Sequence, residues 1–229
     1  MKKILLILLS LVLVFSLFSC GKNDEKNDEK IEEKVAEDMS WKIEEGVLII
    51  SGHGKMPDYI DENGELLERP WNGEAENFDS VVIEEGITSV GAGAFKEFQN
   101  LFDVNLNDGI KSIGESAFEK CTSLYVEDLP DELESIGDRA FNRCYSIDRI
   151  DIPKNVKTIG EAAFGKCYTL SNIKLSDSIE SIGKEAFAGS RETVNVEFDG
   201  TKSEWENLGG SSLVDDDATV NCTDGAYGE

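Results

Sequence analysis

The sequence predicts an α/β solenoid, a stack of short coils in which each coil contains a strand and a turn. The middle of the chain repeats itself every 23 residues without gaps, which is typical of solenoids. Several positions of the repeat are apolar in every copy, and one is always glycine. These fixed columns indicate that every copy folds in the same way.

The repeated segment is clearest in three stretches: 112–124, 135–147 and 158–170. Full copies begin at Val81, Val104, Glu127, Ile150 and Ile173, and a partial sixth copy begins at Val196. Positions three, seven and ten never become polar, so we expect these columns to face a continuous core. Position one joins them except at Glu127, where Val126 can take over through a local slip.

Each repeat is predicted to contain a short strand, a glycine turn and a short helical turn. Positions one to three alternate between core and solvent, as a strand does. The glycine at position eleven indicates either a positive φ or a close backbone approach between coils. An Ala-Phe pair follows it, and position eighteen, three residues after the Phe, is often cysteine. The glycines of this column are Gly91, Gly114, Gly137, Gly160 and Gly183.

The sequence pattern I-x-x-I-G-x-x-A-F-x-x-C-x-x-L resembles the repeat of BspA-like bacterial surface proteins. That resemblance implies a right-handed leucine-rich repeat superhelix, with a parallel strand on the concave face, short helical turns opposite and β-rich caps. It divides the chain into an N-terminal cap (41–80), five repeats (81–195) and a C-terminal cap with a tail (196–229). Helical turns about 10 Å wide opposite strands about 4.8 Å apart predict a curved stack.

The N-terminus is predicted to be a lipoprotein signal peptide, residues 1–19. Two lysines precede an apolar run that is too short for a membrane span, and the run ends at a Leu-Phe-Ser-Cys sequence. This resembles a lipobox, which implies a lipid anchor on Cys20. The alternative is an ordinary secretory signal. The charged segment 20–40 is expected to be a disordered tether, so we expect an extracytoplasmic lipoprotein, membrane-anchored at the bacterial cell surface.

The charge balance disfavours several classes of partner. The chain carries 47 acidic and 22 basic residues, a formal net charge of −25. Binding to nucleic acid or to an anionic membrane surface needs basic clusters instead. Solubility explains most of this charge.

Few residues suggest catalysis or metal binding, so the sequence predicts no enzyme, no cofactor and no metal. The one histidine, His53, lies between glycines in a cap turn. The in-register cysteines at 121, 144 and 167 are expected to be buried core residues, since turns 10 Å apart would exceed disulfide reach. The acidic segments 61–65 and 215–217 are expected to be loops.

The outward column of the strands is the predicted binding surface. Position two varies in type, and variable residues on a regular solenoid face are typical of partner recognition. The candidate residues are Phe102, Asn105, Tyr125, Asp128, Asp151 and Lys174. The family resemblance implies adhesion to a host or neighbouring-cell surface protein, and it leaves the oligomeric state open.

Two alternatives remain beside adhesion: a carbohydrate- or nutrient-binding surface lipoprotein, and a structural spacer without a ligand. Trp41, Trp71 and Trp205 could stack on sugars. All three lie in cap segments, where we expect tryptophans to fill the core.

Overall fold

The computed structural model describes residues 38–126, 128–190 and 193–228. Contacts divide the chain into two units, residues 1–32 and residues 33–229, and every described strand and helix belongs to the second. That unit holds the described core and both caps, so it is the fragment used in the experiments below. The predicted signal peptide and the lipid anchor at Cys20 lie outside the described residues. Among the described residues, no helix is long and apolar enough to cross a membrane.

The described chain forms short strands, one α-helix and two 3-10 turns. The helix α1 spans Lys202–Leu208, and the 3-10 turns span Asn72–Glu74 and Gly210–Ser212. The strands are β1 (Ser40–Glu44), β2 (Val47–Ser51), β3 (Gly54–Lys55), β4 (Ser80–Ile83), β5 (Ile87–Val90), β6 (Asp103–Leu106), β7 (Ser112–Ile113), β8 (Ser135–Ile136), β9 (Arg149–Asp151), β10 (Thr158–Ile159), β11 (Asn172–Leu175), β12 (Ser181–Ile182), β13 (Asn195–Phe198), β14 (Thr219–Cys222) and β15 (Gly225–Ala226).

These strands build two faces of a solenoid. The strand face contains two sheets, with strand orders β1-β2-β4-β6 and β9-β11-β13-β14-β15. The side sheet runs beside it in the order β3-β5-β7-β8-β10-β12. Within the repeats, equivalent residues of successive copies pair in parallel without a shift, as Ser112 does with Ser135. The predicted solenoid with parallel strands and β-rich caps is therefore confirmed.

The strand face is interrupted at the third repeat. Of the described residues of that repeat's strand segment, Tyr125 alone forms a bridge, to Asp103, and Val126 is buried in the place expected for position one. The predicted slip at Val126 is confirmed, and Leu129 is the next described residue that is buried. Because β6 lacks a full neighbour strand on this side, its inward residue Leu106 is only partly buried.

The third side of the coil, the turn face, consists of successive β-turns instead of helical turns. Each turn closes through bonds between residues three apart, such as Ala117 N–H to Gly114 O at 3.2 Å. Positions thirteen and seventeen have positive φ, as in Ser116 (54°) and Lys120 (64°). The N–H groups of these turns donate to carbonyls of the next coil, as Phe118 does to Ala140 at 2.8 Å.

The coil spacing on the turn face differs from the sequence prediction. The phenylalanines of position fifteen stack with ring centroids 5.1–5.6 Å apart and interplanar angles of 9–12°. The predicted 10 Å spacing is wrong, because the turns bond to one another as closely as strands do. Both sides of the coil therefore have nearly equal spacing, and the predicted reason for strong curvature does not apply. The stacked residues are Phe95, Phe118, Phe141, Phe164 and Phe187.

Of the two explanations offered for the glycine column, close approach is correct. None of these glycines is among the residues with positive φ. A methyl group on Gly160 would lie 2.3 Å from the backbone nitrogen of Asp138, and one on Gly183 would lie 2.3 Å from that of Glu161. Successive coils meet at this corner with no room for a side chain.

The caps cover both ends of the core. Trp71 continues the phenylalanine stack beyond Phe95, with centroids 5.6 Å apart, and Trp205 packs against Phe198. Both tryptophans are fully buried, as predicted. The prediction is wrong for Trp41, which is 37 % exposed because β1 is an edge strand with β2 as its one neighbour.

Candidate functional site

The outward column of the strand face lies where the sequence predicts it. Backbone pairing places Val82 beside Asn105, and Lys174 between Asp151 and Glu197. Asn105, Asp151 and Lys174 are exposed because their inward neighbours occupy the core. Asp128 is also exposed, next to the interrupted third coil.

Two aromatic side chains stand on consecutive coils of this face. Phe102 is 59 % exposed and Tyr125 is 38 % exposed. The N–H of Tyr125 donates to the carbonyl of Phe102 at 2.9 Å, which fixes the two residues one coil apart. Phe102 also lines an open groove of about 550 Å³ together with Phe78 and Asn100. The aromatic pair, Phe102 and Tyr125, is therefore an apolar surface beside a polar strip.

The predicted site residues do not form one pocket. Asp128, Asp151 and Lys174 line one shallow groove of about 540 Å³. Asn105 lines another, of about 570 Å³, with Val82 and acidic neighbours. The interrupted third coil separates these two parts of the strand face. The surface is an extended strip, which fits a macromolecule better than a small ligand.

The outward column beside the groove lined by Asp128, Asp151 and Lys174 is acidic on both sides of Lys174. Arg149 pairs with Asp151 at 3.6 Å on one strand. Lys174 makes no ion pair within the described part of the chain, although Cα pairing sets it between Asp151 and Glu197. Its ammonium group is thus available to a partner.

Sequence reasoning missed a second outward column. Residues immediately before position one also point outwards, because side chains alternate along a strand. This column contains Arg149, Asn172 and Asn195. All three residues line a groove of about 320 Å³ that Lys174 also lines. Asn195 accepts a hydrogen bond from the side chain of Asn221 at 2.9 Å. The same period-two pattern that identified position two would have identified this column.

The cysteine column is buried and chemically quiet, as predicted. The thiols of Cys121, Cys144 and Cys167 donate to the carbonyls of Phe95, Phe118 and Phe141 at 2.9–3.2 Å. Burial raises the pKa of the Cys167 thiol to about 12, and it raises those of the other two as well. All three thiols are free.

The reason given for unpaired cysteines was nevertheless wrong. Coils about 5 Å apart bring neighbouring backbones within the range that a disulfide can bridge. In this structure each thiol instead donates along the stack to a carbonyl of the preceding coil.

The other candidates for chemistry have structural roles. The His53 ring lies 2.8 Å from a carboxylate oxygen of Asp38, and both side chains are largely exposed. Asp61 accepts hydrogen bonds from the N–H groups of Asn63 and Glu65, each at 2.9 Å, which makes the expected turn. Asp215 caps the last coil by accepting from the N–H of Gly189 at 2.7 Å. The described residues contain no group of three or more His, Cys, Asp or Glu side chains arranged to hold a metal ion.

Comparison with models of protein families shows which family this chain belongs to. The BspA type leucine rich repeat region matches residues 73–199, in six copies. The chain belongs to this BspA-type leucine-rich repeat family. The match confirms the resemblance seen in the sequence. Comparison with curated proteins gives no match.

Solved structures of bacterial leucine-rich repeat proteins share this fold. A leucine-rich repeat protein of T. pallidum has a TM-score of 0.50 at 24 % identity, over 72 % of this chain and 71 % of that one. One from Bacteroides ovatus has a TM-score of 0.53 at 24 % identity, over 75 % and 47 %. A leucine rich cell surface protein of Faecalibacterium prausnitzii has a TM-score of 0.52 at 21 % identity, over 83 % and 54 %. This chain spans about half the length of the last two proteins.

Proposed function

We propose that this BspA-type protein is a non-enzymatic, adhesion-type module of the bacterial cell surface that binds a partner protein through its strand face. The observation that carries the proposal is the aromatic pair. Phe102, at 59 %, is the most exposed large hydrophobic side chain of the described residues, and it lies on the strand face one coil away from Tyr125, which is 38 % exposed. Exposed aromatic residues of this kind are the usual centres of binding energy in protein interfaces.

Polar side chains lie next to the aromatic pair on the strand face. Protein interfaces surround an apolar centre with a polar rim. Here Asn105 lies on the coil of Phe102, and Asp151 and Lys174 continue the strip on later coils. Such a surface matches an elongated patch on a partner, since equivalent side chains recur about every 4.8 Å along the stack.

Charge indicates the kind of partner patch. The groove beside Lys174 is lined by Asp128, Asp131, Asp151 and Asp199 against two lysines. The net charge of −25 adds a long-range field of the same sign. We expect a partner patch with an apolar side chain at its centre and basic groups around it, because complementary potentials speed association and select orientation.

Observations of two kinds support the proposed location at the cell surface. The signal-like N-terminus and the lipobox-like sequence ending at Cys20 support export and anchoring. A leucine rich protein of Faecalibacterium prausnitzii with the same fold is described as a cell surface protein.

The carbohydrate alternative loses most of its support from the caps. Trp71 and Trp205 are fully buried and cannot stack on a sugar. Trp41 remains partly exposed, but strand pairing sets it in register with the buried residues Ile50 and Ile83 and not with the outward strip.

Attachment of beads to cells tests the class of partner. Beads carrying fragment 33–229 are applied to host cells and to neighbouring bacterial cells, each untreated, treated with protease or treated with periodate. We expect attachment to untreated cells that protease removes and periodate leaves intact. Loss with periodate alone would favour a carbohydrate ligand, and no attachment to any cell type would favour the spacer.

A further inference from the structure

The side sheet carries a surface that the strand-face proposal does not use. On four successive coils its outward residues are hydroxyls that make no hydrogen bond within the described chain: Ser112, Ser135, Thr158 and Ser181. On the first coil the equivalent Ser89 is buried. The glycine column beside the hydroxyls has no side chains, so the strip forms a flat, open groove of about 630 Å³.

A column of alternating charge runs along one side of this groove. The residue before each hydroxyl is exposed and charged, and the signs alternate from coil to coil: Lys111, Glu134, Lys157 and Glu180. Backbone bonds of 2.8–2.9 Å from each of these residues to the preceding coil fix the spacing. The first coil has the neutral, half-buried Thr88 at this position. The column therefore contains four charges, an even number.

The side chains of this column remain at the surface. Lys111 and Glu134 approach to 3.9 Å, yet their side chains are 49 % and 59 % exposed. The exposed ammonium group of Lys157 donates a hydrogen bond to the carbonyl of Ser178 at 3.1 Å. Each charge can thus make a second contact with a group above the groove.

An even, alternating column is complementary to itself when one copy is turned end to end. We propose that two copies of this chain associate side sheet against side sheet, with antiparallel solenoid axes. The two-fold axis lies along the strands, midway between the third and fourth coils. Lys111 then faces Glu180 of the partner subunit, and Glu134 faces Lys157 of the partner subunit. A closed, isologous contact of this kind is the commonest symmetry of protein dimers.

The same column argues against the parallel arrangement. A two-fold axis along the solenoid that passed through this column would place each coil against its own copy, so that Lys111 would meet Lys111 of the partner subunit. Every contact of the column would then join like charges, which is destabilising. Column-to-column contact therefore requires the antiparallel pair.

The dimer is weak. Four coils make a strip only about 20 Å long. The area buried on each partner is therefore well below the roughly 800 Å² of a standard interface. On the other side of the groove, the same axis sets Asp138 opposite Glu161 of the partner subunit, and these like charges oppose association. Such a contact gains importance where copies are concentrated, as on a shared surface.

Sedimentation equilibrium of fragment 33–229 at about 0.15 M salt, from about 10 μM to about 1 mM protein, tests the pairing. We expect a monomer–dimer equilibrium for the wild type. Glu134→Lys and Lys157→Glu should each lower the association constant at least tenfold, because each places like charges together twice across the axis. An equimolar mixture of the two variants should dimerise again, to within about threefold of the wild type, because every contact of the alternating column between the two chains is then attractive.

The design separates local pairing from net charge. Glu134→Lys reduces the negative charge of the chain, so a net-charge effect alone would strengthen its association. Lys166→Glu makes the same change of charge as Lys157→Glu at an exposed position on the turn face, and it should leave the association constant at the wild-type value. A wild type that stays monomeric up to about 1 mM, a mixture that stays monomeric, or stronger association of Glu134→Lys would each overturn the proposal.

Discussion

The indole Nε1 of Trp71 donates a 3.1 Å hydrogen bond to the carbonyl oxygen of Ala94. In every later coil the equivalent carbonyl accepts from the N–H of the preceding phenylalanine, but the first coil has no predecessor. The N–H of Tyr59 and the guanidinium of Arg69 satisfy the two flanking carbonyls, at 2.7 Å each. The N-terminal cap thus supplies the donors of a missing coil.

Replacing Trp71 tests this function of the cap. Trp71→Phe keeps an aromatic ring on the stack but removes the indole donor and part of the buried surface. We expect a loss of about 2–3 kcal/mol in the free energy of unfolding, measured by urea denaturation. Trp41→Phe, at a partly exposed cap position, should change it by less than about 1 kcal/mol. Equal losses for both variants would contradict a specific role for Trp71.

The C-terminal cap should depend on Asp215, whose carboxylate accepts from the N–H of Gly189. Asp215→Ala leaves this N–H without its acceptor and should cost about 1–2 kcal/mol of unfolding free energy. Asp215→Asn keeps a carbonyl oxygen and should recover at least half of that loss. Asp216→Ala is the control, since that neighbouring carboxylate is exposed. A larger loss for the control, or no recovery with asparagine, would contradict the capping role.

The glycine column should not tolerate side chains. Gly160→Ala places a methyl group 2.3 Å from the Asp138 nitrogen, so the coils must separate. We expect a loss of about 3 kcal/mol, measured by urea denaturation, because overpacking against backbone cannot relax easily. Gly73→Ala is the matched control, since nothing lies within 4 Å of its added methyl. It should be nearly neutral, and a Gly160 variant as stable as this control would contradict the close approach.

Alkaline pH should destabilise the protein through the cysteine column. Burial raises the pKa of the Cys167 thiol from 9.0 to about 12 and raises the pKa of Cys144 in the same direction. The contribution of each neutral thiol is complete below about pH 9, the unfolded value. It is lost as pH rises towards 12, with a slope of about 1.4 kcal/mol per pH unit for each thiol.

Urea denaturation of the wild type and of a Cys144→Ala/Cys167→Ala variant between pH 8 and pH 11 measures this effect. The variant should be less stable at pH 8, because it leaves cavities, but its stability should fall less steeply with pH. Parallel curves would show that the thiols do not carry the pH dependence.

The repeat itself could be predicted from the sequence because each column has one physical requirement. The apolar residues at position ten and the glycines at position eleven recur every 23 residues, and the structure places both where the pattern predicts. Even the exception at Glu127 pointed correctly to Val126. Periodicity carries this information because every coil has the same neighbours.

The parts that were wrong depend on distances between coils, which periodicity does not specify. A Phe-Cys spacing of three residues fits a helical turn and also fits the two β-turns found here. The distinction depends on the positive φ values at residues such as Ser116 and Lys120, where no glycine marks them. Trp41 was misplaced for a related reason, since the sequence does not show which cap strand is the outer one.

The candidate site was predicted in outline only. Position two correctly identified Asn105, Asp151 and Lys174 as outward residues. Their division between separate grooves follows from the interrupted third coil, a local irregularity that the regular columns conceal. Their role in binding stays a prediction.

Cell attachment of strand-face variants tests the central proposal most directly. A Phe102→Ala/Tyr125→Ala variant of fragment 33–229 removes the aromatic pair. The control, Tyr145→Ala/Tyr168→Ala, removes two rings that stack 4.8 Å apart outside the strand face, one of them 41 % exposed. We expect the first variant to lose at least tenfold in bead attachment to cells and the control to retain it. Equal attachment by both variants, or loss only in the control, would contradict recognition through the strand face.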